Sequence, residues 1–434
     1  MVQKKNILIL VLVSVGLLAS VVSAVNIIKA FPKKNFSGSN NSNNRTIVNS
    51  TGKIRHTPKP SPLQSVEDKS NIESKDNEEI IEEKPDKNIP QLKDVKVKAV
   101  YITGSSAGNK KFLDNIINLI NATELNAVVI NIKEDGRVNY KSEIGEVKKI
   151  GAFHELYDVD DVIKKLHENN IYVIGRLVCF RDNYLATKRA DLAIKRYDGT
   201  LWREGKIAWT NPYNRDVWSY NIDIAREAVA KGFDEIQFDY VRFPTARKNE
   251  VDYGNNPPQK ADAISEFLEV AGAELSKMGA AVSADIFAII CESPGDREGI
   301  GQVLESVGMN IDCISPMIYP SHYANNSKGM MGNGVGQIIN GILFKKPDLK
   351  PYDVVYNALL KTKERISKVE GYKAKVRPYL QDFTANYLPA GYYQVYGPEQ
   401  VREQIKAVYD AGFEEWILWD PANTYSESEF ISEQ

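Results

Sequence analysis

Gly232-Phe233-Asp234-Glu235-Ile236-Gln237-Phe238-Asp239-Tyr240-Val241-Arg242-Phe243-Pro244 is the stretch whose reading decides the fold. From Glu235 to Asp239 polar and apolar residues alternate, the period of a strand with two different faces. Gly232 can close a preceding helix in a left-handed turn. Pro244 stops the strand from continuing inside a sheet, because proline has no N–H for the ladder. Asp239 therefore stands near the carboxyl end of a strand. In parallel α/β proteins that end carries the chemistry, so Asp239 is the lead candidate.

Working outward, β-type runs at 97–102, 127–132, 171–178, 235–239, 281–287, 313–318, 376–380 and 416–419 alternate with amphipathic segments at 110–121, 158–168, 215–231, 261–277, 300–307, 352–368 and 398–410. This is the pattern of parallel strands joined by helical crossovers, and eight strands suit an α/β fold of the (β/α)8 TIM-barrel type. A doubly wound open sheet would carry a GxGxxG turn after its first strand. Here that turn reads Thr103-Gly104-Ser105-Ser106-Ala107-Gly108, without the spacing. No helix is readable after Tyr425, so the last crossover is expected to be short or missing. Gly232, Gly279 and Gly412 each follow a helical segment, where a left-handed cap is wanted. Three long connections, 133–157, 179–214 and 320–351, follow strands and so belong to one face of the barrel.

Ahead of the barrel, Lys4 and Lys5 precede an apolar run from Ile7 to about Ile28. Val22-Ser23-Ala24 resembles a cleavage site, but the run approaches the ~20 residues of a membrane span, which favours an uncleaved anchor. The chain thus divides into a membrane anchor or signal segment (1–34), a disordered tether rich in Asn, Ser, Lys, Glu and Pro (35–92), and the barrel (93–434). The expected location is the cell membrane, single-pass with the barrel outside, or secretion if the segment is cleaved. With 55 basic and 57 acidic residues among 434, nothing points to a nucleic-acid partner. Cys179, Cys291 and Cys313 lack CxxC spacing and read as buried thiols rather than a disulfide or zinc framework. Only four histidines occur, two of them in the tether and on a helix, so no metal or other cofactor is expected. No GxSxG elbow is present.

The strand ends carry a ring of acids and aromatics: Glu134 and Asp135, Arg176 with Arg181 and Asp182, Asp239 with Tyr240 and Arg242, Asp285, Tyr319 with His322, Tyr379 with Gln381 and Asp382, and Trp419 with Asp420. A sugar-cleaving site needs this mixture. One carboxylate attacks or stabilises the anomeric carbon, another protonates the leaving oxygen, and rings stack on apolar sugar faces. Asp285, an acid in an otherwise apolar strand, must be paired or functional. Glu134 and Asp135 before Gly136 also fit a bare turn. Arg176 needs an anion, for which Asp239 and Glu134 are available, and would then hold the nucleophile ionised. Trp209 and Trp419 fit either the core or sugar platforms, and their position favours platforms. Asp382 and Asp420 fit either a sugar hydroxyl or a loop cap.

The stretch 233–244 resembles the signature of a bacterial family of glycoside-hydrolase-type TIM barrels, distantly similar to the α-amylase superfamily. Ile171-Tyr172-Val173-Ile174-Gly175-Arg176, Trp209-Thr210-Asn211-Pro212-Tyr213, Ser315-Pro316-Met317-Ile318-Tyr319-Pro320-Ser321-His322-Tyr323 and Trp416-Ile417-Leu418-Trp419-Asp420-Pro421 look like the same family's other blocks. By analogy with α-amylase-like enzymes, the resemblance implies Asp239 at the fourth strand end as nucleophile and Asp285 at the fifth as general acid and base. Gln237 departs from that pattern by standing where the superfamily usually has an arginine, and Asp285 stands where it usually has glutamate. Arg242 and Arg176 are the residues available to replace the missing charge. The function expected is a cell-surface, retaining glycosidase acting on O-glycosyl bonds of a polysaccharide or oligosaccharide, monomeric and membrane-attached through its N-terminal segment. The substrate contacts expected are Glu134, Arg176, Trp209, Tyr240, Arg242, Tyr319, His322, Tyr379, Gln381, Asp382, Trp419 and Asp420. A non-catalytic polysaccharide-binding barrel is the alternative, and an ion held among Glu134, Asp239 and Asp285 would mark a third class.

Overall fold

The computed structural model describes residues 95–247 and 249–430. The expected anchor at 1–34 and tether at 35–92 lie outside the described residues. Eight parallel strands follow in chain order: β1 (Lys98–Ile102), β2 (Ala127–Glu134), β3 (Tyr172–Val178), β4 (Glu235–Asp239), β5 (Ala281–Phe287), β6 (Cys313–Ile318), β7 (Tyr379–Gln381, led in by Lys375–Val376) and β8 (Trp416–Trp419). β1 pairs with both β2 and β8, so the sheet closes on itself as a barrel.

The alternation in β4 explains how the barrel packs. Ile236 and Phe238 point outward, and the Phe238 ring meets Phe267 of α4 (Lys260–Ser276) edge-on at 5.3 Å. Glu235, Gln237 and Asp239 point inward. Glu235 pairs with Arg377 at 2.7 Å near the amino end, Gln237 spans the middle, and Asp239 reaches the carboxyl end. The barrel interior is therefore layered and polar along β4, while Ala99, Val129, Ile174 and Ile417 of β1, β2, β3 and β8 form an apolar cluster. It is closed by hydrogen bonds rather than by aliphatic packing alone.

The crossover helices start where the side chains allow it. Asn109, Asp158 and Asn214 accept bonds from the free N–H groups of α1 (Lys110–Ala122), α2 (Val159–Glu168) and α3 (Arg215–Ala230). Gly232, Gly279 and Gly412 take positive φ just past helix ends, at 103°, 79° and 80°. Between β5 and β6 the structure departs from the sequence reading. The expected helix at 300–307 is a single turn, α5 (Leu304–Val307). α6 (Pro351–Ile366) and α7 (Pro398–Asp410) each begin with proline, whose missing N–H costs nothing in a first turn. After β8 comes one 3₁₀ turn, Glu427–Glu429. Arg377-Pro378 splits the seventh strand, because Pro378 removes a ladder donor. All three cysteines are buried and unpaired.

Candidate active site

The site is assembled at the carboxyl end of β1 to β8, and its centre is a guanidinium. Arg176 of β3 lies in register with Gln237 of β4 and points up to Asp239. Its Nη2 donates to Asp239 Oδ2, and its Nη1 donates to Asn131 Oδ1 at 2.8 Å. Asp285 Oδ2 stands 3.8 Å from Nε, and Glu134 Oε1 stands 3.9 Å from Nη1. Three carboxylates from β2, β4 and β5 thus share one cation. Burial works against the charge on Arg176, but Asp239, Tyr101, Glu134 and Asp285 outweigh it and hold the group firmly protonated.

Gln237 no longer leaves a charge missing. It is fully buried one layer below Asp239, where its Oε1 accepts from the Tyr379 hydroxyl at 2.5 Å and its Nε2 donates to Ser315 Oγ at 3.1 Å. The arginine comes from the neighbouring strand instead. Arg242 does not take this part. It is 1% exposed, bonds to the Phe243 carbonyl at 2.9 Å, and lies over the rings of Trp209, Tyr240 and Phe287.

Asp239 is held from a second direction. Its Oδ1 accepts the backbone N–H of Tyr240 at 2.5 Å. Tyr240 has φ +49°, a conformation costly for a bulky side chain, imposed directly after the candidate nucleophile. Asp285 is 1% exposed and its Oδ1 has no hydrogen-bond partner among the described residues. Burial first, then the charge of Asp239, pushes its carboxyl well above the usual range, against the pull of Arg176. Burial also raises Glu134, again opposed by Arg176. Its side chain is 27% exposed, which makes it the most open acid of the three.

Glu134 faces inward because β2 is irregular. Asn131 pairs with Arg176 but Lys133 pairs with Leu177, so one residue is extra, a β-bulge. The bulge turns Lys133 outward, where it is fully buried between Asp182 at 2.7 Å and Asn221 at 2.9 Å. Asp135 and Gly136, both at positive φ, then close a tight turn onto Arg137. The turn reading of this segment and the carboxylate reading of Glu134 therefore hold together.

Opposite the acids stands an aromatic wall. Trp419 of β8 meets Tyr319 at 5.5 Å, Phe383 at 5.2 Å and Tyr101 at 6.3 Å between centroids, and His322 packs on Tyr319 at 5.1 Å. Trp419, Phe383 and His322 are half-buried, whereas Tyr319 is nearly covered. Burial lowers His322 to about 4, so near neutral pH it contributes a ring and no charge. Tyr101 joins the two halves, since its hydroxyl accepts from Asn131 Nδ2 at 2.7 Å, which also donates to Glu134 at 2.8 Å.

Several expected substrate contacts lie elsewhere. Trp209 is fully buried against Tyr240 and is core, not a platform. Tyr240 and Tyr379 are covered, and they position Asp239 and Gln237 respectively. Gln381 is buried, accepting from the Ser321 N–H and donating to Asp348. Asp420 caps its own loop through the N–H groups of Ala422 and Thr424. Asp382 is 9% exposed, and burial followed by the charges of Glu429 and Asp420 pushes it up to about 8. Conversely, Asn131, Tyr101 and Phe383 escaped the sequence reading. Asn131 had a signal, as the lone amide in the apolar run 127–132.

A closed parallel barrel with gathered carboxylates facing aromatic rings at its carboxyl end defines the glycosidase class of TIM-barrel enzyme. Residues 99–425 match the family model described as "Putative glycosyl hydrolase domain", and the chain belongs to that family. No curated protein matches it. Among solved structures it is similar to a hypothetical protein from Ruminiclostridium thermocellum, at 46% identity over 43% of this chain and 96% of that one, with TM-score 0.41. It is also similar to the PgaB (BpsB) glycoside hydrolase domain from Bordetella bronchiseptica, at 12% identity over 77% and 97%, with TM-score 0.55. The second likeness shows the shared barrel. Neither comparison singles out the α-amylase superfamily.

Proposed function

We propose that this barrel hydrolyses O-glycosidic bonds of a polysaccharide at the cell surface, with Asp239 attacking the anomeric carbon and Asp285 serving as general acid and base. The observation that carries the reading is Arg176. The guanidinium sets a positive charge directly against Asp239, the acid that would attack, while burial favours the protonated form of Asp285, the acid that would donate. A carboxylate separation of ~5 to 5.5 Å would make the reaction retaining. The surface location rests on the apolar run near the N-terminus.

A second assignment of the proton donor is favoured by exposure. Glu134, with its side chain 27% exposed against 1% for Asp285, is the acid a leaving oxygen reaches more readily. The two assignments separate by leaving group, because an activated aryl glycoside departs without a proton. The variant of the true donor keeps the first step on the activated substrate, seen as a burst of aryl release before slow turnover, and loses activity on the polymer.

The reading as a whole is tested by offering the protein and its Asp239→Asn variant to a panel of bacterial and plant polysaccharides, with product anomers followed by NMR. Hydrolysis by the wild type that Asp239→Asn abolishes supports it. Unchanged hydrolysis by the variant rejects the nucleophile.

A further inference from the structure

The aromatic wall continues past the barrel rim. Phe383, edge-on to Trp419, also packs against a separate apolar cluster of Met331, Ala385 and Leu388, together with Tyr387, Tyr392 and Tyr393. Met331 belongs to the insertion after β6, and the others to the connection from β7 to α7. The cluster gives the rings a firm base, since Met331, Ala385 and Leu388 are buried at 3%, 0% and 5% exposure. Tyr387 is tied to that base by its hydroxyl, which donates to Ser321 Oγ at 3.1 Å.

Tyr392 and Tyr393 are different. Both are half-buried, and neither hydroxyl has a hydrogen-bond partner among the described residues. The Lys346 ammonium lies 4.8 Å from the Tyr392 centroid and helps fix the plane of that ring. A half-exposed ring with a free hydroxyl at its edge suits a pyranose. The apolar sugar face covers the ring, and a sugar hydroxyl meets the phenol. On the acid side the tryptophans of the loop after β3, Trp202 and Trp209, are buried at 3% and 0% exposure.

We propose that Phe383, Tyr392 and Tyr393 form sugar-binding subsites continuous with Trp419, so that the substrate is a chain held over several consecutive sugars on the β6 to β8 side of the cleaved bond. The inference rests on the glycosidase reading and adds where the chain lies. Contacts with remote sugars hold the reacting bond in register with the acids, and their loss is felt only by substrates long enough to make them.

The test compares the full-length protein with its Tyr392→Ala/Tyr393→Ala variant on the polymer found by the screen and on its shortest cleavable oligosaccharide. Migration of Asp239→Asn proteins, with and without the tyrosine changes, through gels containing the polymer reads binding alone. The expected result is a loss of about ten-fold in kcat/KM on the polymer, unchanged kinetics on the short substrate, and reduced retention in the gel. Equal losses on both substrates, or no loss on either, overturn the subsites while leaving the glycosidase standing. Retention that needs the tyrosines, without hydrolysis by the wild type, overturns the glycosidase and leaves the subsites. Neither retention nor hydrolysis overturns both. If the double variant unfolds, Tyr393→Asn alone carries the same comparison.

Discussion

β2 to β5 end in charge, and β6, β8 and β1 end in rings. On the charged side every group is tied: Arg176 to Asp239, Asp285, Glu134 and Asn131, Asn131 to Tyr101, and Asp239 to the Tyr240 N–H. On the aromatic side the contacts are between tilted and edge-on rings 5.1 to 6.3 Å apart between centroids, and Trp419, Phe383 and His322 are half-buried. The contrast separates two tasks. Charge that must develop at one atom needs rigid, hydrogen-bonded partners in a dry setting. A sugar that must slide in and out needs a broad surface with little directional demand.

The comparison is broken most severely at its hub. Arg176→Met leaves three acids without their shared cation, and kcat should fall by about 10²- to 10³-fold, the usual effect of losing one preorganised electrostatic partner. Steady-state kinetics would check this, and a loss carried by KM alone would show that Arg176 only binds sugar. Across the cleft, Trp419→Ala should raise KM by roughly 10- to 100-fold with kcat nearly kept, since a stacking platform would bind ground and transition states alike.

Asp382 offers a smaller effect away from the chemistry. Its folded carboxyl titrates at about 8, above the ordinary 3.8, so the fold favours its protonated form. That stabilisation is present below about pH 4 and is lost as pH rises toward 8. Asp382→Asn should therefore melt like the wild type at pH 4 and be more stable at pH 8, by about 2 kcal/mol after relaxation of the site. Equal melting curves at both pH values would show that the fold does not raise the Asp382 carboxyl. Trp209→Phe should do least. Its indole N–H has no partner to lose among the described residues, so stability should change by about 1 kcal/mol and sugar affinity not at all. A raised Kd for substrate would restore it as a platform.

Periodicity carried most of the fold. Strands at 235–239, 281–287, 313–318 and 416–419 coincide with β4, β5, β6 and β8, because each is bounded by glycine, proline or a charged turn. The helix at 300–307 shrank to one turn because local pattern does not show how tightly β5 and β6 are joined. In the site, strand-end position was enough to group Glu134, Arg176, Asp239 and Asp285. It was not enough for direction. Trp209 is buried by a loop returning over β4, and Lys133 is turned outward by a bulge, neither of which a two-residue period contains. The half of the mouth made by tertiary packing was correspondingly less legible than the half made by strand ends.

The central claim is that Asp239 forms a bond to the sugar, and peptide mapping after rapid acid quench of turnover on the polymer tests it most directly. The account predicts a glycosyl adduct on the peptide containing Asp239, absent from Asp239→Asn. Turnover with no adduct, or an adduct on Glu134 or Asp285, would contradict it.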